Sequence, residues 1–404
     1  MHHIKITNFG PIRECEMDVN QFTVLTGPQA SGKSTIAKAI YFFRTIKDDI
    51  LDLILKNNYQ ISLNTQLKAN LINKFINLYG NSLKILPNTE LRYTYKKGIY
   101  IELSVIPDGK YFTFDYGIEI DEFLVGKNNF KHHIDESTKN ELYEKLNDLF
   151  RDDTETIYVP AGRMAISLLS EQLNYIFMSM DDTQRRTVDY CVRKYFELGL
   201  KIRPYFEKIS LTNRNIAEFY QKIIKAEYKY ENLQERLYFD NDSYIALNFA
   251  SSGQQEAVWI LNILNYFAAE NKKIYLIVEE PEAHLYPESQ MYMTDALALF
   301  VNGGNNSGLI TTHSPYILGE LNNLILCGQA SNKGVYKNSI KKASNIDEKA
   351  WFQKDVLQAF HVIGGKCKNA LTDGLIMNEL IEGASVQIDE KSAGLIALFH
   401  GEDA

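Results

Sequence analysis

Residues 27–34 read Gly27-Pro28-Gln29-Ala30-Ser31-Gly32-Lys33-Ser34, and Thr35 follows them. This segment matches the pattern of a P-loop, in which backbone N–H groups turn inward around phosphate oxygens and glycines leave room for the turn. Residues 22–26 form an apolar run typical of a buried strand, and residues 35–43 have the periodicity of a helix. The N-terminus of that helix would point at the phosphates.

Two side chains of the P-loop have separate expected roles. Lys33 would reach the β- and γ-phosphates of a nucleotide, and the Ser34 hydroxyl would be a ligand of Mg²⁺. The sequence therefore predicts ATP and Mg²⁺ as cofactors. The nucleotide-binding residues expected from this segment are Gly27, Pro28, Gln29, Ala30, Ser31, Gly32, Lys33, Ser34 and Thr35.

Two adjacent carboxylates follow a second strand pattern. Residues 273–278 are an apolar run typical of a strand buried on both faces, and Glu279 and Glu280 come directly after it. Successive strand residues point to opposite sides, so the two are expected to have different roles. We assign Glu279 to the Mg²⁺ shell, through water, and Glu280 to the attacking water, as general base or water-positioning residue. A solvated acidic turn is the alternative interpretation.

Two shorter motifs complete the set. His313 follows a candidate core strand at residues 307–312, where it would contact the γ-phosphate or the attacking water. Ser251, Ser252, Gly253 and Gln254, here called the signature segment, precede a predicted helix. With Ser251 or Ser252 as N-cap, free N–H groups would point outward at an anion. A structural histidine and an ordinary capped helix are the alternatives.

The order of these motifs resembles that of the ABC-type ATPases. More closely, it is similar to the overcoming-lysogenization-defect (OLD), AAA-15/21-like group, whose relatives serve in bacterial phage defence. The sharpest marker is residues 279–287, Glu-Glu-Pro-Glu-Ala-His-Leu-Tyr-Pro, and residues 4–12 and 158–163 also resemble this group. Transporter cassettes, a third hypothesis, usually carry a different run in place of residues 282–286.

The resemblance implies a particular assembly. Ser252 and Gly253 of one subunit would contact the γ-phosphate held by the P-loop of another, giving a homodimer or higher homo-oligomer with two ATP molecules between two heads. Residues 283–285 would form the D-loop that crosses the interface. The implied fold class is α/β: an ABC-type ATPase head with a mixed β-sheet and flanking helices, carrying an inserted helical and antiparallel-β subdomain and no long coiled coil.

This chain departs from the group's pattern at two places. The acid on the Mg²⁺ side is usually Asp, whereas this chain has Glu279. The Gln that usually couples the metal to the helical subdomain has no convincing match; Gln172 and Gln184 are candidates without a supporting pattern. Arg163 is either a substitute charge near the phosphates or one partner of a structural salt bridge.

We expect four segments along the chain. They are an N-terminal ATPase lobe with the P-loop (1–43), an inserted helical and β subdomain (44–240), a C-terminal ATPase lobe with the signature segment, the carboxylates and His313 (241–328), and a C-terminal tail subdomain (329–404). Within the insertion we predict helices over 48–81, antiparallel strands at 91–95, 98–105 and 111–114, a strand at 155–161, and mainly helix from 164 to 237.

Composition places further bounds on the function. The 404 residues carry a net charge of −8, which argues against a uniformly basic nucleic-acid binder. Residues 185–214 are locally basic with interleaved aromatics, so they are either a nucleic-acid-contacting surface or solvated faces of amphipathic helices. The sequence contains no apolar run long enough for a transmembrane helix, and its start lacks the apolar core of a signal peptide. The four cysteines lie far apart in the sequence, which is typical of reduced thiols. We expect a cytoplasmic protein with no membrane partner and no zinc site.

Our leading hypothesis is an ATPase that converts ATP and water to ADP and phosphate. It would oligomerise around ATP and act as sensor or regulator of a separate effector protein, a nuclease or toxin, in antiviral defence. We find no Asp-x-Asp pair of the kind that OLD nuclease domains use after His313, so the chain reads as an ATPase-only member. The alternative is a DNA-repair-type ATPase that acts on nucleic acid.

Overall fold

The central feature is one mixed β-sheet of eleven strands. The computed structural model describes residues 2–56, 61–80, 85–105, 112–127, 135–169, 172, 175, 179, 188–208, 214–240, 243–304 and 306–399. The strands of this part are β1 (His2–Phe9), β2 (Ile12–Val19), β3 (Phe22–Thr26), β4 (Ile85–Lys96), β5 (Ile99–Val105), β6 (Phe112–Tyr116), β7 (Glu155–Val159), β8 (Glu227–Glu231), β9 (Gln234–Tyr238), β10 (Tyr244–Ala246), β11 (Ile274–Glu279), β12 (Ser307–Thr312), β13 (Leu357–Ile363), β14 (Lys366–Asn369), β15 (Leu371–Thr372) and β16 (Leu375–Ile376).

Helices flank this sheet. The described α-helices are α1 (Lys33–Arg44), α2 (Ile46–Leu55), α3 (Leu63–Tyr79), α4 (Ile118–Val125), α5 (Glu136–Phe150), α6 (Met164–Leu168), α7 (Tyr190–Ile202), α8 (Tyr205–Lys208), α9 (Arg214–Phe219), α10 (Ser252–Glu270), α11 (Pro287–Gly303), α12 (Pro315–Asn332), α13 (Lys337–Ser344) and α14 (Asn378–Phe399). A π-helical turn spans Tyr220–Ile224, and 3₁₀ turns span Leu247–Phe249 and Glu348–Ala350.

The sheet has a parallel half and an antiparallel half. Its order is β6-β5-β4-β1-β2-β14-β13-β3-β12-β11-β7. Strands β13, β3, β12, β11 and β7 run parallel, and β3 and β11 are buried along their whole length because helices cover both faces. In the antiparallel half, Ile4 and Ile6 of β1 are buried while Lys5 between them pairs with Glu90. The expected mixed sheet with flanking helices is confirmed.

The parallel strands separate two hydrophobic cores. Tyr275 and Ile277 of β11 pack in the core that contains α1, whereas Leu276 and Val278 pack in the core that contains α10. This follows from the alternation of side chains along a strand. The P-loop helix and the helix after the signature segment therefore lie on opposite faces of one sheet.

The C-terminal region corrects the predicted tail subdomain at 329–404. Strand β13 pairs parallel with β3, with Phe360 opposite Leu25 and His361 opposite Thr26, and β14 lies beside β2. Strand β3 is fully buried, so its backbone polar groups need partners on both sides. Strand β13 supplies one side of that pairing from more than 300 residues further along the sequence.

The predicted insertion at 44–240 also needs correction. Helices α2 and α3 and strands β4–β7 form near the predicted positions, but β4–β7 extend the central sheet instead of building a separate unit. The stretch 164–237, expected to be mainly helical, also contains β8 and β9, which form a small sheet with β10.

Two absences hold for the described part of the chain. No helix there exceeds the 22 residues of α14, so a long coiled-coil arm is not present in it. None of its helices is both long enough and apolar enough to cross a membrane.

Candidate active site

The P-loop lies between β3 and α1 and depends on two glycines. Gly27 has φ +144°, and a Cβ there would lie 2.3 Å from the carbonyl oxygen of Val362 in β13. Gly32, the N-cap of α1, has φ +108°, and a Cβ there would lie 2.4 Å from Ile12 Cδ1. The turn is therefore held between β2 and β13, and both positions need glycine for close approach as well as for backbone conformation.

Lys33 lies inside the P-loop. It is 5% exposed, and its Nζ donates hydrogen bonds of 2.8 Å to the carbonyl oxygens of Gly27 and Pro28. Burial lowers the pKa of Lys33, and the nearby carboxylates of Glu280, Glu282 and Glu279 oppose that effect. Strands β3 and β11 both run parallel to β12, so the P-loop after β3 and the carboxylates at the end of β11 lie at the same edge of the sheet.

Glu279 is the last residue of β11 and is 5% exposed. Its Oε2 accepts a hydrogen bond of 3.1 Å from the Ala161 backbone N–H. The phenol of Tyr158 lies close to the carboxylate, and burial followed by the Glu279 charge raises the pKa of that phenol. The carboxylate is thus fixed in the sheet and faces the same side as α1, because Ile277 two residues earlier packs there.

The residues present fit a triphosphate with Mg²⁺. The buried Ser31 hydroxyl of the P-loop has no hydrogen-bond partner among the described residues, and Ser34 at the start of α1 is exposed. The described residues contain no cluster of three or more His, Cys, Asp or Glu side chains suited to a metal. Ser34 and Glu279 offer one hydroxyl and one carboxylate, and Mg²⁺ is typically held by few protein oxygens together with phosphate and water. Ser34 and Glu279 are the residues that would hold it.

Glu280 follows β11 in a left-handed conformation, with φ +44°. Its backbone N–H donates a hydrogen bond of 2.9 Å to the carbonyl oxygen of Thr311 in β12. Its carboxylate is about one-third exposed, and Oε1 lies 3.8 Å from Nδ1 of His313, which follows β12 and is half-exposed. The structure therefore brings Glu280 and His313 together, and their catalytic roles stay predictions.

Glu282 has a structural role that the sequence did not reveal. Its Oε1 accepts hydrogen bonds of 2.8 Å from the Thr312 hydroxyl and 2.9 Å from the His313 backbone N–H. His313 Nδ1 lies 3.4 Å from the same oxygen. The buried Glu282 carboxylate thus fixes the segment that carries His313. The available signal in the sequence is the Glu-Pro-Glu spacing at 280–282, which by itself indicates only the family resemblance.

The signature segment begins α10 with a capping box. Ser251 is the N-cap: Gln254 N–H donates to Ser251 Oγ at 3.4 Å, and Ser251 N–H donates to Gln254 Oε1 at 3.2 Å. A Cβ at Gly253 would lie 2.6 Å from the carbonyl oxygen of His284, so the segment packs directly on residues 283–285. Ser251 and Ser252 are exposed. No hydrogen bond of the described residues joins this segment to the P-loop of its own chain.

Arg163 forms a buried salt bridge with Glu256, as the structural interpretation of this residue predicts. It is 1% exposed, and its Nε lies 3.1 Å from Glu256 Oε2. Its Nη1 donates to the Glu279 carbonyl oxygen at 2.6 Å, and Nη2 donates to the Glu280 carbonyl oxygen at 2.9 Å. The guanidinium is therefore occupied by protein groups. The candidate Gln184 lies outside the described residues, and Gln172 is an isolated described position at which only a backbone bond to Leu169 is seen.

His361 of β13 is a second residue that the sequence analysis missed. The pairing of β13 with β3 places it opposite Thr26, directly before the P-loop. Its Nδ1 is buried and makes no hydrogen bond to the described residues. Burial lowers the pKa of His361, and the positive charges of Lys33 and Lys368 lower it further. Nothing in the local sequence at 361 signals this proximity, because it arises from a pairing between distant segments.

A cavity of about 410 Å³ adjoins the start of α1. Ser34, Thr35 and Lys38 line it from α1, and Tyr79 and Asp189 line it from the opposite side. Lys38 forms an ion pair with Asp189, and the Tyr79 hydroxyl donates a hydrogen bond of 3.1 Å to the Thr35 carbonyl oxygen. Ser34, the predicted Mg²⁺-binding residue, therefore lies at the wall of this cavity.

Three of the five aromatic side chains of the basic segment at 185–214 are buried, and the other two, Tyr190 and Tyr205, are half-buried. Tyr195, Phe196 and Phe206 are buried in the core on the α10 face. Arg203 is also buried and lies 2.8 Å from Glu235. Positions 185 and 186 lie outside the described residues. Bases need exposed aromatic faces for stacking, so these three side chains cannot serve that purpose.

Comparison with known proteins now adds the family. A family model described as AAA ATPase domain, AAA_15, matches residues 1–318. The chain belongs to this family. The match supports ATP binding and hydrolysis by this AAA ATPase, and ATPases of this kind usually use Mg²⁺. Membership in the OLD group is not part of that finding. None of the curated proteins matches the chain.

Several solved structures resemble this AAA ATPase at low identity. An Smc head bound to the C-winged helix domain of ScpA is 11% identical, with 91% of this chain and 95% of that chain covered and a TM-score of 0.42. An Smc head with an extended coiled coil bound to the ScpA C-terminal domain, derived from Pyrococcus furiosus, is 12% identical. The match covers 97% of this chain and 100% of that chain, with a TM-score of 0.42. The SMC head from Thermotoga maritima is 11% identical. The match covers 92% of this chain and 98% of that chain, with a TM-score of 0.41. Similarity at this level supports no functional argument.

Proposed function

We propose that this AAA ATPase hydrolyses ATP at composite sites, each built from the P-loop of one copy and the signature segment of another. The observation that carries this proposal is the placement of α1 and α10 on opposite faces of one sheet. Ser251 and Ser252 stand exposed at the N-terminus of α10, the end of a helix that is suited to an anion. A second copy is the partner that could bring a signature segment to the P-loop.

Each residue of the site then has a defined task. The P-loop amides and Lys33 hold the phosphates, and Glu280 orients the attacking water and takes its proton. His313, whose backbone Glu282 holds, contacts the same water or the γ-phosphate. Mg²⁺, when bound by Ser34 and Glu279, would supply charge neutralisation for the phosphates. Hydrolysis would remove the γ-phosphate that joins the two copies and so release them.

We further propose that the closed and open states of this oligomer regulate a separate effector protein, a nuclease or toxin, in antiviral defence. Support comes from the resemblance of residues 279–287 to the OLD group. Nucleotide would bias one state and the trigger or effector the other, as in any two-state switch. An adjacent nuclease or toxin gene in the source genome would support this role, and its absence from related genomes would count against it.

The test of shared sites uses two variants that fail for different reasons. Lys33→Ala removes the phosphate grip, and Ser252→Arg blocks the signature segment while leaving the P-loop intact. Each variant alone should lose hydrolysis. A mixture should recover up to about a quarter of the wild-type rate, because random dimers are half mixed and each mixed dimer has one intact site of two.

The matched control is Ser339→Arg. Ser339 is exposed in the first turn of α13, as Ser252 is in the first turn of α10, and it lies in no motif of the site. Its substitution should leave hydrolysis unchanged. Failure of the two inactive variants to rescue each other, with both folded, would rule out composite sites.

The burial of Tyr195, Phe196 and Phe206 weakens the DNA-repair alternative, because these aromatic side chains of the basic segment at 185–214 cannot stack on bases. This alternative makes a separate prediction, namely hydrolysis that DNA stimulates at low salt and that salt suppresses. Finding neither DNA binding nor stimulation at low salt would eliminate it.

A further inference from the structure

Arg163 joins two parts of the chain that the proposed mechanism uses at different ATP sites. On one side it donates to the carbonyl oxygens of Glu279 and Glu280, at 2.6 and 2.9 Å. On the other side its Nε lies 3.1 Å from the Glu256 carboxylate of α10. Glu256 is one helical turn beyond Ser252, so the helix that begins at the signature segment and the end of β11 meet at one guanidinium.

The contacts around this pair form a continuous buried connection. Glu256 is 2% exposed, and its Oε1 accepts a hydrogen bond of 3.2 Å from the Met164 backbone N–H. The Ser167 hydroxyl of α6 donates to the Gln255 carbonyl oxygen at 3.2 Å. Residues 255 and 256 of α10 are thus attached to the segment after β7, and Ala161 of that same segment donates a hydrogen bond to the Glu279 carboxylate.

The Glu280 backbone makes this connection relevant to chemistry. Its φ of +44° is a conformation that a non-glycine residue adopts at some cost, so neighbouring groups must hold it. The Thr311 carbonyl binds the Glu280 N–H, and Arg163 binds the Glu280 carbonyl. These two contacts fix the peptide units on both sides of the Cα that carries the carboxylate. A displacement of Arg163 would therefore redirect the predicted catalytic carboxylate.

We propose that Arg163 and Glu256 couple the two ATP sites of the oligomer, with Arg163 as the positioning residue. When the signature segment closes on the partner's ATP, α10 moves Glu256, and Arg163 transmits that movement to the backbone of Glu280 in its own chain. The planar guanidinium suits this task because its five N–H donors can bind a carboxylate and two carbonyls together, which a lysine ammonium cannot do in one geometry. The inference rests on the proposed composite sites.

The test places one substitution in either chain of the rescuing mixture. In a mixed dimer, the working site uses the P-loop and Glu280 of the Ser252→Arg chain and the signature segment of the Lys33→Ala chain. Arg163→Lys in the first chain releases the working Glu280, and in the second chain it releases Glu256 and so α10, whose signature segment completes the working site. Because the contact acts in both directions, coupling predicts that both placements lower the recovered hydrolysis about tenfold. Glu256→Gln, which keeps the size of the side chain, should act in the same way.

The control is another buried ion pair of the same kind. Arg203 and Glu235 are both buried, with 2.8 Å between Nη2 and Oε2. Glu235→Gln should lower the melting temperature by a similar amount to Glu256→Gln but leave the recovered hydrolysis within about twofold.

The possible outcomes distinguish a failure of the Arg163–Glu256 coupling from a failure of the composite ATP sites. If only the placement beside the working Glu280 lowers hydrolysis, Arg163 supports its own site alone and the coupling is refuted. If both Arg163→Lys and Glu256→Gln behave like Glu235→Gln, the pair is structural and the coupling is also refuted. If the unsubstituted mixture shows no rescue, the composite sites themselves fail.

Discussion

Glu280 and His313 face each other at the ends of β11 and β12, with 3.8 Å between the carboxylate Oε1 and the imidazole Nδ1. At that distance the two groups form no direct hydrogen bond, and one water molecule could bind both. The backbone of each residue is fixed separately, Glu280 by Thr311 and His313 by Glu282. This geometry suits a carboxylate that positions and deprotonates an attacking water.

Glu280→Gln should bind ATP normally and hydrolyse it at least about a hundredfold more slowly, because the amide cannot accept the proton. Equilibrium binding of a fluorescent ATP analogue and phosphate release measure the two properties. Glu288→Gln, at an exposed carboxylate in the first turn of α11, is the control and should retain full turnover. Near-normal turnover of the Glu280 variant would show that another group is the base.

Lys33→Ala should weaken ATP binding at least about tenfold, since a charge-assisted hydrogen bond to phosphate is lost. Isothermal titration with ATP measures the change. Lys342→Ala removes an exposed lysine of α13 and should leave binding unaltered. Unchanged affinity in the Lys33 variant would contradict the assignment of the phosphate grip.

Glu282→Ala should lower turnover and reduce the free energy of unfolding by about 1–3 kcal/mol, because the Thr312 hydroxyl and the His313 N–H lose a buried acceptor. Glu282→Gln keeps a carbonyl oxygen at the same place and should restore most of the stability. Urea unfolding and hydrolysis assays on both variants make the comparison. Equal losses in both would mean that the negative charge, and not the acceptor, is what matters.

Gly253→Ala should destabilise the chain by about 1–3 kcal/mol, because the new Cβ would meet the His284 carbonyl oxygen at 2.6 Å. Gly319→Ala in α12 is the matched control, since a Cβ there meets nothing within 4 Å. It should be neutral or stabilising by about 1 kcal/mol through helix propensity. Urea unfolding measures the free energy of unfolding of both variants. Equal values would show that residues 283–285 shift to make room for the extra methyl group.

The pair formed by Asp295 of α11 and Glu320 of α12 makes stability depend on pH. Burial, followed by the Glu320 charge, raises the pKa of Asp295 from 3.8 to about 8. A raised acid pKa favours folding while the acid is protonated, so this contribution is complete below pH 3.8 and is lost as pH rises to about 8. Lys222 opposes the effect but does not reverse it.

Asp295→Asn cannot ionise, so its free energy of unfolding should fall less than that of wild type as pH rises from about 5 to about 8. The difference between the two urea-unfolding profiles isolates this carboxyl from every other titrating group. Parallel profiles would mean that the Asp295 pKa is not raised in the folded chain.

The parts of the site that the sequence predicted are those with a local pattern. Strands β3, β11 and β12 are short apolar runs that end at P-loop, carboxylate and histidine motifs, so both their existence and their edge of the sheet could be inferred. The capping box at Ser251 is similarly local, because N-cap and N3 residues lie three positions apart.

The parts that were missed depend on contacts between distant segments. His361 reaches the P-loop because β13 pairs with β3, and Arg163 meets Glu256 across 93 residues of sequence. A single sequence carries no record of such pairings, since a strand's pattern shows which residues are buried but not which strand lies beside it. The same limit explains why residues 329–404 were expected to form a separate tail.

The position of β13 beside β3 has a consequence for biosynthesis. During translation, β3 and the P-loop leave the ribosome early, but the neighbour that completes their sheet is made only after residue 357. A nascent chain that ends before this strand would expose an unpaired edge of a strand that is otherwise buried, the kind of surface that chaperones bind and that aggregates. We therefore expect this ATPase to acquire its ability to bind nucleotide late in synthesis.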